Sequence, residues 1–351
     1  MTARRTVAFS KNSSNLFFHI LTKCNLRCRH CYINPEQQGE KNLSLVTIRA
    51  WLDEFASISA TTNVIFLGGE PTLHPDLARA IKYAKDRGFI SITVDTNGYL
   101  FHDILTRVSC RDVDFFSFSL DGATRETNDR IRGKGTYDTC KKGIQKAVDK
   151  GFAASLIYTV STINIHELEL MPALIKNLGI DRFFIQVIGL RGKAALSASN
   201  EDPKQTLQVS RSKWLDLIPA VAQKVAELGV TVSYPKVFLE PEERFECAGL
   251  VAQNYFIFPN GRVYRCPLCE DHPVHSLVFE DNMLRETESL NESDLFKLNI
   301  AEGCVMNKLI QPDNLSYTVG AVPEYKIACC LLKEEIAPYK SSSYSSSSSK
   351  L

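Results

Sequence analysis

The chain predicts an α/β fold of repeated strand–helix units followed by a smaller cysteine-rich domain. Three observations lead there. Short apolar runs alternate with amphipathic stretches from Leu16 to Tyr234. The strand-like runs are apolar on both faces, as in a parallel sheet covered by helices. After Pro235 the pattern breaks, and loop residues and cysteines take over.

The elements read in order. LFFHIL (16–21) is a buried strand, and LSLVTIRAWLDEFASI (43–58) has helical periodicity. NVIFLGG (63–69) is strand-like, then HPDLARAIKYAKDRG (74–88) is a helix ending in Gly88, because glycine tolerates the left-handed cap. ISITVDT (90–96) is a strand with a short helix expected around 99–107. VDFFSFSLDG (113–122) is a strand, and TYDTCKKGIQKAVDKG (136–151) a helix closed by Gly151. A strand over 153–161, a helix over 165–179, a strand over 181–189, a helix over 212–229 and a last strand over 230–235 complete the run. The strands at 16–21, 63–67, 90–95, 114–119, 153–159 and 182–188 make six strand–helix units. Such a repeat means a barrel or a doubly wound sheet. In either, active sites lie where strands end and loops begin.

At 351 residues the chain exceeds a typical single domain and suits one large domain plus an appendage. The expected division is an N-terminal extension (1–15), an α/β domain (16–235), a small cysteine-rich domain (236–310) and a C-terminal extension (311–351). The last of these ends in KSSSYSSSSSKL, which cannot bury a core and reads as disordered. Balanced charge, with 41 basic and 40 acidic residues, argues against a nucleic-acid partner, which usually leaves a basic excess. No run approaches the roughly 18 consecutive apolar residues of a membrane helix, and the first residues do not form a signal peptide. A soluble, cytoplasmic protein is expected. Eleven cysteines in a reducing compartment point to metal or redox chemistry rather than disulfides. Cys110 and Cys140 stand alone and read as ordinary buried thiols.

Directly after the first strand comes TKCNLRCRHCYINPE, with Cys24, Cys28 and Cys31 spaced C-x3-C-x2-C. Three thiolates on one loop can hold three irons of a [4Fe–4S] cluster and leave the fourth without a protein ligand. A structural zinc normally takes four ligands, and the nearest extra donor, His30, is squeezed between two ligating positions.

This segment resembles the signature of the radical S-adenosylmethionine (SAM) superfamily, C-x3-C-x-aromatic-C after the first strand. His30 takes the aromatic place, and Tyr32 follows. The resemblance implies a partial (β/α)6 TIM-like barrel. It implies that Cys24, Cys28 and Cys31 hold a cluster whose open iron chelates the amino and carboxylate groups of SAM. An electron then passes to the sulfonium, and a 5′-deoxyadenosyl radical abstracts a substrate hydrogen. The protein binds, orients and shields this chemistry. An external electron donor such as flavodoxin or ferredoxin is implied as well.

Further motifs sit at strand ends. In GGEP, Gly68 and Gly69 let backbone approach a ligand closely, Glu70 supplies an acceptor, and Pro71 follows. On its own the motif also reads as a tight turn. It resembles the family's segment for the methionine amino group. Asn97-Gly98 alone is a turn. Ser119 and Asp121 face the same way by period two, toward a ribose or substrate, or else cap a turn. Arg130 and Arg132 can each pair with a carboxylate, and the resemblance implies that one touches SAM. The sequence does not choose between them. Gln186 and Ile188 are candidates for approaching the adenine, although core packing explains Ile188 equally well.

The second cysteine group lies in FECAGLVAQNYFIFPNGRVYRCPLCED (245–271), where Cys247, Gly261 and Cys266 make C-x13-G-x4-C. Pro259-Asn260-Gly261 reads as a hairpin turn. Cys269 pairs with Cys266 as C-x2-C, and Cys304 is a candidate fourth ligand. Four thiolates close either a [4Fe–4S] cluster or a zinc site. The pattern resembles the opening of the SPASM domain that follows many radical SAM barrels. The SPASM block C-x2-C-x5-C-x3-C is missing, and Cys329 and Cys330 have the wrong spacing for it. The resemblance is therefore to the shortened Twitch form with one auxiliary [4Fe–4S] cluster, with Cys329 or Cys330 as alternatives to Cys304. It implies modification of a peptide or protein. The alternatives are a small-molecule step of cofactor biosynthesis and, in another class, a non-catalytic zinc or redox iron–sulfur protein.

Overall fold

The computed structural model describes residues 13–39, 41–59, 61–195, 207–311 and 314–338. The serine-rich tail lies outside the described residues. Seven strands run parallel, side by side, in the order of the sequence: β1 (Ser14–His19), β2 (Thr62–Leu67), β3 (Ser91–Thr96), β4 (Phe115–Ser119), β5 (Ala154–Val160), β6 (Arg182–Val187) and β7 (Thr231–Pro235). A doubly wound sheet would reverse its strand order at a switch point. This one never does, so the strands follow the winding of a partial barrel.

The strands are less uniformly apolar than the sequence suggested. Leu16, Phe18, Val64, Phe66, Ile92 and Val94 are fully buried on the helix side. Phe17, His19, Leu67, Asp95, Ser119, Thr159 and Gln186 alternate with the buried set and line a central cavity. One face of each strand thus builds the core, and the other builds the site. The helix Leu45–Ile58 shows why the outer layer packs. Ile48, Trp51, Leu52 and Phe55 form its buried stripe, and the Ser44 hydroxyl accepts from the Thr47 amide at its start.

The sequence reading assigns no element to residues 125–132, and the structure has a helix there, Arg125–Arg132. Its few apolar positions gave no periodic signal. Polar capping holds it instead. Thr124 Oγ1 accepts from the Thr127 amide, while Glu167 accepts from the Ala123 and Thr124 amides and the Thr124 hydroxyl. The short helix expected around 99–107 is a 3₁₀ turn, Phe101–Asp103, running into Ile104–Arg107. Cys140 is buried as expected, but Cys110 is exposed on the loop ahead of β4.

The chain beyond Pro235 joins the same sheet. β8 (Phe238–Leu239) is a short strand apart. β9 (Gln253–Ile257) pairs parallel with β1, and β10 (Arg262–Tyr264), β11 (Leu277–Glu280) and β12 (Met283–Glu286) continue antiparallel from it. The turn after β9 is the hairpin the sequence marked at Pro259–Gly261. β13 (Lys326–Ile327) pairs with β8, and β14 (Lys333–Ile336) adds antiparallel to β7. The result is one twelve-stranded sheet, β12-β11-β10-β9-β1-β2-β3-β4-β5-β6-β7-β14. Residues 326–336 therefore belong to the folded body rather than to an appended extension. The sequence KEEI carries no strand periodicity, because the pairing satisfies the free backbone edge of β7. Among the described residues no helix is long and apolar enough to cross a membrane.

Candidate functional site

The cavity enclosed by the inner strand faces has a volume of about 310 Å³. Cys24, Cys28 and Cys31, on the loop after β1, all line it. Burial pushes the Cys24 thiol up to about 11, and the nearby Glu70, Cys28 and Cys31 push the same way. Burial also raises Cys28, against the opposing pull of Arg132. Thiols crowded and desolvated in this way are poor anions alone but become thiolates on binding a metal, which releases their protons. The Leu26 amide donates to Cys24 Sγ at 3.3 Å and the Asn97 side chain at 3.8 Å. Such N–H···S contacts tune iron–sulfur thiolates. Among the described residues no three His, Cys, Asp or Glu side chains gather into a single-ion site. The donor chemistry, three soft thiols facing one cavity, suits a [4Fe–4S] cluster.

The GGEP segment is bound to this loop. The Gly69 amide donates to the Leu21 carbonyl at 3.1 Å and the Glu70 amide to the Lys23 carbonyl at 3.0 Å. A Cβ on Gly69 would overlap the carbonyl oxygens of Thr22 and Lys23. The close backbone approach read from the two glycines is thus an approach to the cysteine loop itself. Glu70 is buried and accepts from the Thr72 amide and hydroxyl, the Thr96 hydroxyl and the Asn97 amide at 2.6–3.1 Å. Burial pushes its carboxyl up while those donors hold it down. It ties the end of β2 to the end of β3 and so positions Asn97, whose side chain reaches Asn25 and Cys24. Gly68, Gly69, Glu70 and Asn97 all line the cavity; Pro71 is buried where the following 3₁₀ turn begins.

Asp121, read as facing a ligand or else capping a turn, is fully buried. Its Oδ2 lies 2.6 Å from Arg132 Nε and 3.1 Å from His30 Nε2, and its Oδ1 accepts from the Thr159 amide at 2.7 Å. Burial alone would raise its carboxyl, but Arg132 and His30 overcome that and hold it at about 2. Arg132 and His30 line the cavity, and so does Ser119. The structure separates the two arginines: Arg132 is buried beside Cys28, whereas Arg130 is exposed on the other side of its helix. Gln186 and Ile188 line the far wall, the former accepting from the Thr159 hydroxyl at 3.5 Å and the latter buried against Ala194 and Leu207.

Sequence reasoning missed a polar chain behind the cysteine loop. His19 Nδ1 bonds the Ile257 carbonyl at 3.0 Å, which leaves Nε2 to accept from the Tyr32 hydroxyl at 2.8 Å. Burial holds the imidazole neutral, down at about 3. The Arg191 guanidinium lies 4.7 Å over the Tyr32 ring and pairs with Glu270 at 2.7 Å. Burial pushes Glu270 up to about 8 against that pull. The Gly192 amide donates to Asp271 at 2.7 Å. This network joins the cysteine loop, the stretch after β6 and the second cysteine segment. No spacing in the sequence announces it, since its members lie up to 252 positions apart.

The later cysteines gather at an apolar pocket lined by Cys247, Cys266, Cys304, Cys329 and Cys330. Cys247, Cys266, Cys304 and Cys329 each lie within electrostatic reach of the other three. Burial pushes Cys247 up to about 12. Cys330 donates to Cys329, holding that thiol below its ordinary value. Of the sequence-read quartet, Cys269 shares a buried apolar cluster with Cys304 and hydrogen-bonds Cys266, but does not line this pocket. Cys330 lines both this pocket and the central cavity.

Comparison with known proteins accords with this geometry. The profile of the Radical SAM superfamily, whose members use a [4Fe–4S] cluster and SAM, matches residues 19–189 of this chain. Fe-coproporphyrin III synthase of Methanosarcina barkeri is 31% identical over 227 residues, 63% of this chain and 55% of its own length. The chain thus spans little more than half of that relative. Mycofactocin maturase MftC of Mycobacterium tuberculosis is 27% identical over 283 residues, 76% of this chain and 68% of its own. Two solved structures share the fold. Streptococcus suis SuiB bound to S-adenosylmethionine aligns with a TM-score of 0.59 at 12% identity, covering 85% of this chain and 71% of SuiB. Native anSMEcpe with bound AdoMet aligns at 0.58 and 15% identity, covering 82% and 81%.

Proposed function

We propose that this radical SAM chain reductively cleaves SAM and abstracts a hydrogen atom from a peptide or protein substrate. The observation that carries the reading is one cavity holding Cys24, Cys28 and Cys31 together with Gly69, Asn97 and Arg132. Cys24, Cys28 and Cys31 would hold the cluster. When bound, that group supplies the single electron that splits SAM into methionine and a 5′-deoxyadenosyl radical.

The chain's own residues orient and shield. Leu26 and Asn97 donate to Cys24 Sγ and fix its direction. Gly69 and Glu70 clamp the loop from β2. Arg132 presents a guanidinium beside Cys28, suited to a carboxylate of the bound nucleoside, while Asp121 keeps it oriented. His19 and Tyr32 fix the loop's far end without bringing a titrating charge into the cavity. The inner strand faces exclude bulk water from a reactive radical.

For the auxiliary centre, the mutual proximity of Cys247, Cys266, Cys304 and Cys329 favours these four as ligands of a second [4Fe–4S] cluster. Cys269 and Cys330 then remain as thiols. An external one-electron donor such as flavodoxin or ferredoxin would supply the reducing equivalents. The peptide reading draws on likeness to a maturase, and to SuiB, which has been solved bound to its precursor peptide SuiA. A second reading, a small-molecule step of cofactor biosynthesis, is favoured by the likeness to Fe-coproporphyrin III synthase and by the cavity of about 310 Å³.

The test is electron paramagnetic resonance of the reduced, reconstituted protein. Adding SAM should change the signal of the first cluster, because a ligand has entered an open iron site. A spectrum indifferent to SAM would refute the reading.

A further inference from the structure

The cavity is lined by Arg132, Arg191 and Lys333, and burial pushes the Lys333 ammonium below its ordinary value. Arg132 is matched by Asp121 and Arg191 by Glu270, each within 2.7 Å. Lys333 is different. It enters the cavity from β14, on the wall built by β6, β7 and β14, and its ammonium sits 4.0 Å over the Phe184 ring. Among the described residues it has neither a hydrogen bond nor an ion pair. Cys330, Asp95 and Glu335 lie within electrostatic reach, but neither carboxylate is at ion-pair distance, and Cys330 is a thiol that donates to Cys329. Glu335 accepts from Ser233, and burial pushes Asp95 up to about 7, so Asp95 is only partly ionised at neutral pH. A desolvated ammonium without an anion costs free energy unless a partner arrives. An aromatic face offsets part of that cost but leaves the ammonium's hydrogens unused.

We propose that Lys333 anchors a carboxylate of the substrate, so that the molecule acted on in this cavity carries one. The inference rests on the radical SAM reading for the reaction but not for the binding. The cation is held on a β-strand, with Lys333 in register with Pro235, so its position is set by the pairing of β14 to β7. The Phe184 face beneath the ammonium is apolar, which strengthens a charge pair formed over it. The carboxylate is either that of a small acid or that of an acidic residue in a peptide.

Equilibrium dialysis of the reconstituted full chain, without SAM, tests this. The probes are 3-phenylpropionate and its neutral isostere 3-phenylpropionamide. Wild type should bind the acid at least tenfold tighter than the amide, a comparison that needs no variant. Lys333→Met and Lys333→Gln should lose the preference, and Lys333→Arg should keep it. A second pair, an acetylated and amidated pentapeptide with a central aspartate and its asparagine counterpart, identifies the source. A preference there points to a peptide carboxylate, and a preference confined to phenylpropionate points to a small acid. Equal binding of acid and amide, no measurable binding of the acid, or an unchanged preference in Lys333→Met would overturn the proposal. None of these outcomes bears on SAM cleavage, which is measured separately.

Discussion

Replacing Asp121 by Asn removes the charge that Arg132 and His30 share. The carboxylate is fully buried, with Arg132 Nε at 2.6 Å, His30 Nε2 at 3.1 Å and the Thr159 amide at 2.7 Å. Breaking one side of a buried ion pair strands the other charge, which costs about 3–5 kcal/mol. A lower bound comes from proton linkage. Asp121 moves from 3.8 to about 2 on folding, and at ~1.36 kcal/mol per unit that shift contributes about 2 kcal/mol. The linkage figure counts only the proton-dependent part, so the expected loss for Asp121→Asn lies between about 2 and 5 kcal/mol. Urea unfolding of the metal-free chain at pH 7, followed by circular dichroism, reads it. The Asp121→Asn/Arg132→Met double variant should be more stable than Asp121→Asn alone, because no unpaired cation is left. The pH sign follows from a depressed carboxyl. Its stabilisation is full above 3.8 and is lost as pH falls toward about 2, so wild type and Asp121→Asn should converge across that window. A loss below about 0.5 kcal/mol at pH 7, or a double variant weaker than the single one, would refute the reasoning.

Other outcomes follow from the same geometry. Gly69→Ala must push Thr22 and Lys23 away, so the reconstituted variant should lose most of the iron bound by the first cluster, read as iron per chain. Thr124→Ala removes the helix cap and one Glu167 contact; about 1–2 kcal/mol of stability should go with it, measured by urea unfolding. Two clusters make about eight irons per chain. Cys329→Ala should lower that to about four, whereas Cys269→Ala should leave it near eight; the opposite pattern would assign the auxiliary ligand to Cys269.

The barrel was legible because its units repeat: each strand's apolar run and each glycine-closed helix declare themselves locally. The cysteine loop was legible because its ligands sit within eight residues of one another. Arg132 could not be told from Arg130 in sequence, because the choice depends on which face of a helix turns inward, and no helix was read there. Asp121 and Glu70 were placed at strand ends, each with a ligand-facing reading and a turn reading left open. Both spend their oxygens on protein donors, which spacing cannot reveal. Lys333 lies in KEEI, a strand formed only because β7 offers a free edge. Cys329 was judged by spacing, yet it joins Cys247 through folding across 82 positions.

The account's central claim is that Cys24, Cys28 and Cys31 hold the cluster at which SAM is cleaved. Anaerobic incubation of the reconstituted protein with SAM and dithionite, with products resolved by mass spectrometry, tests it most directly. Wild type should release 5′-deoxyadenosine and methionine, and the variant carrying Cys24→Ala, Cys28→Ala and Cys31→Ala should release neither while keeping its auxiliary iron. 5′-Deoxyadenosine formed at the wild-type rate by that variant would contradict the account.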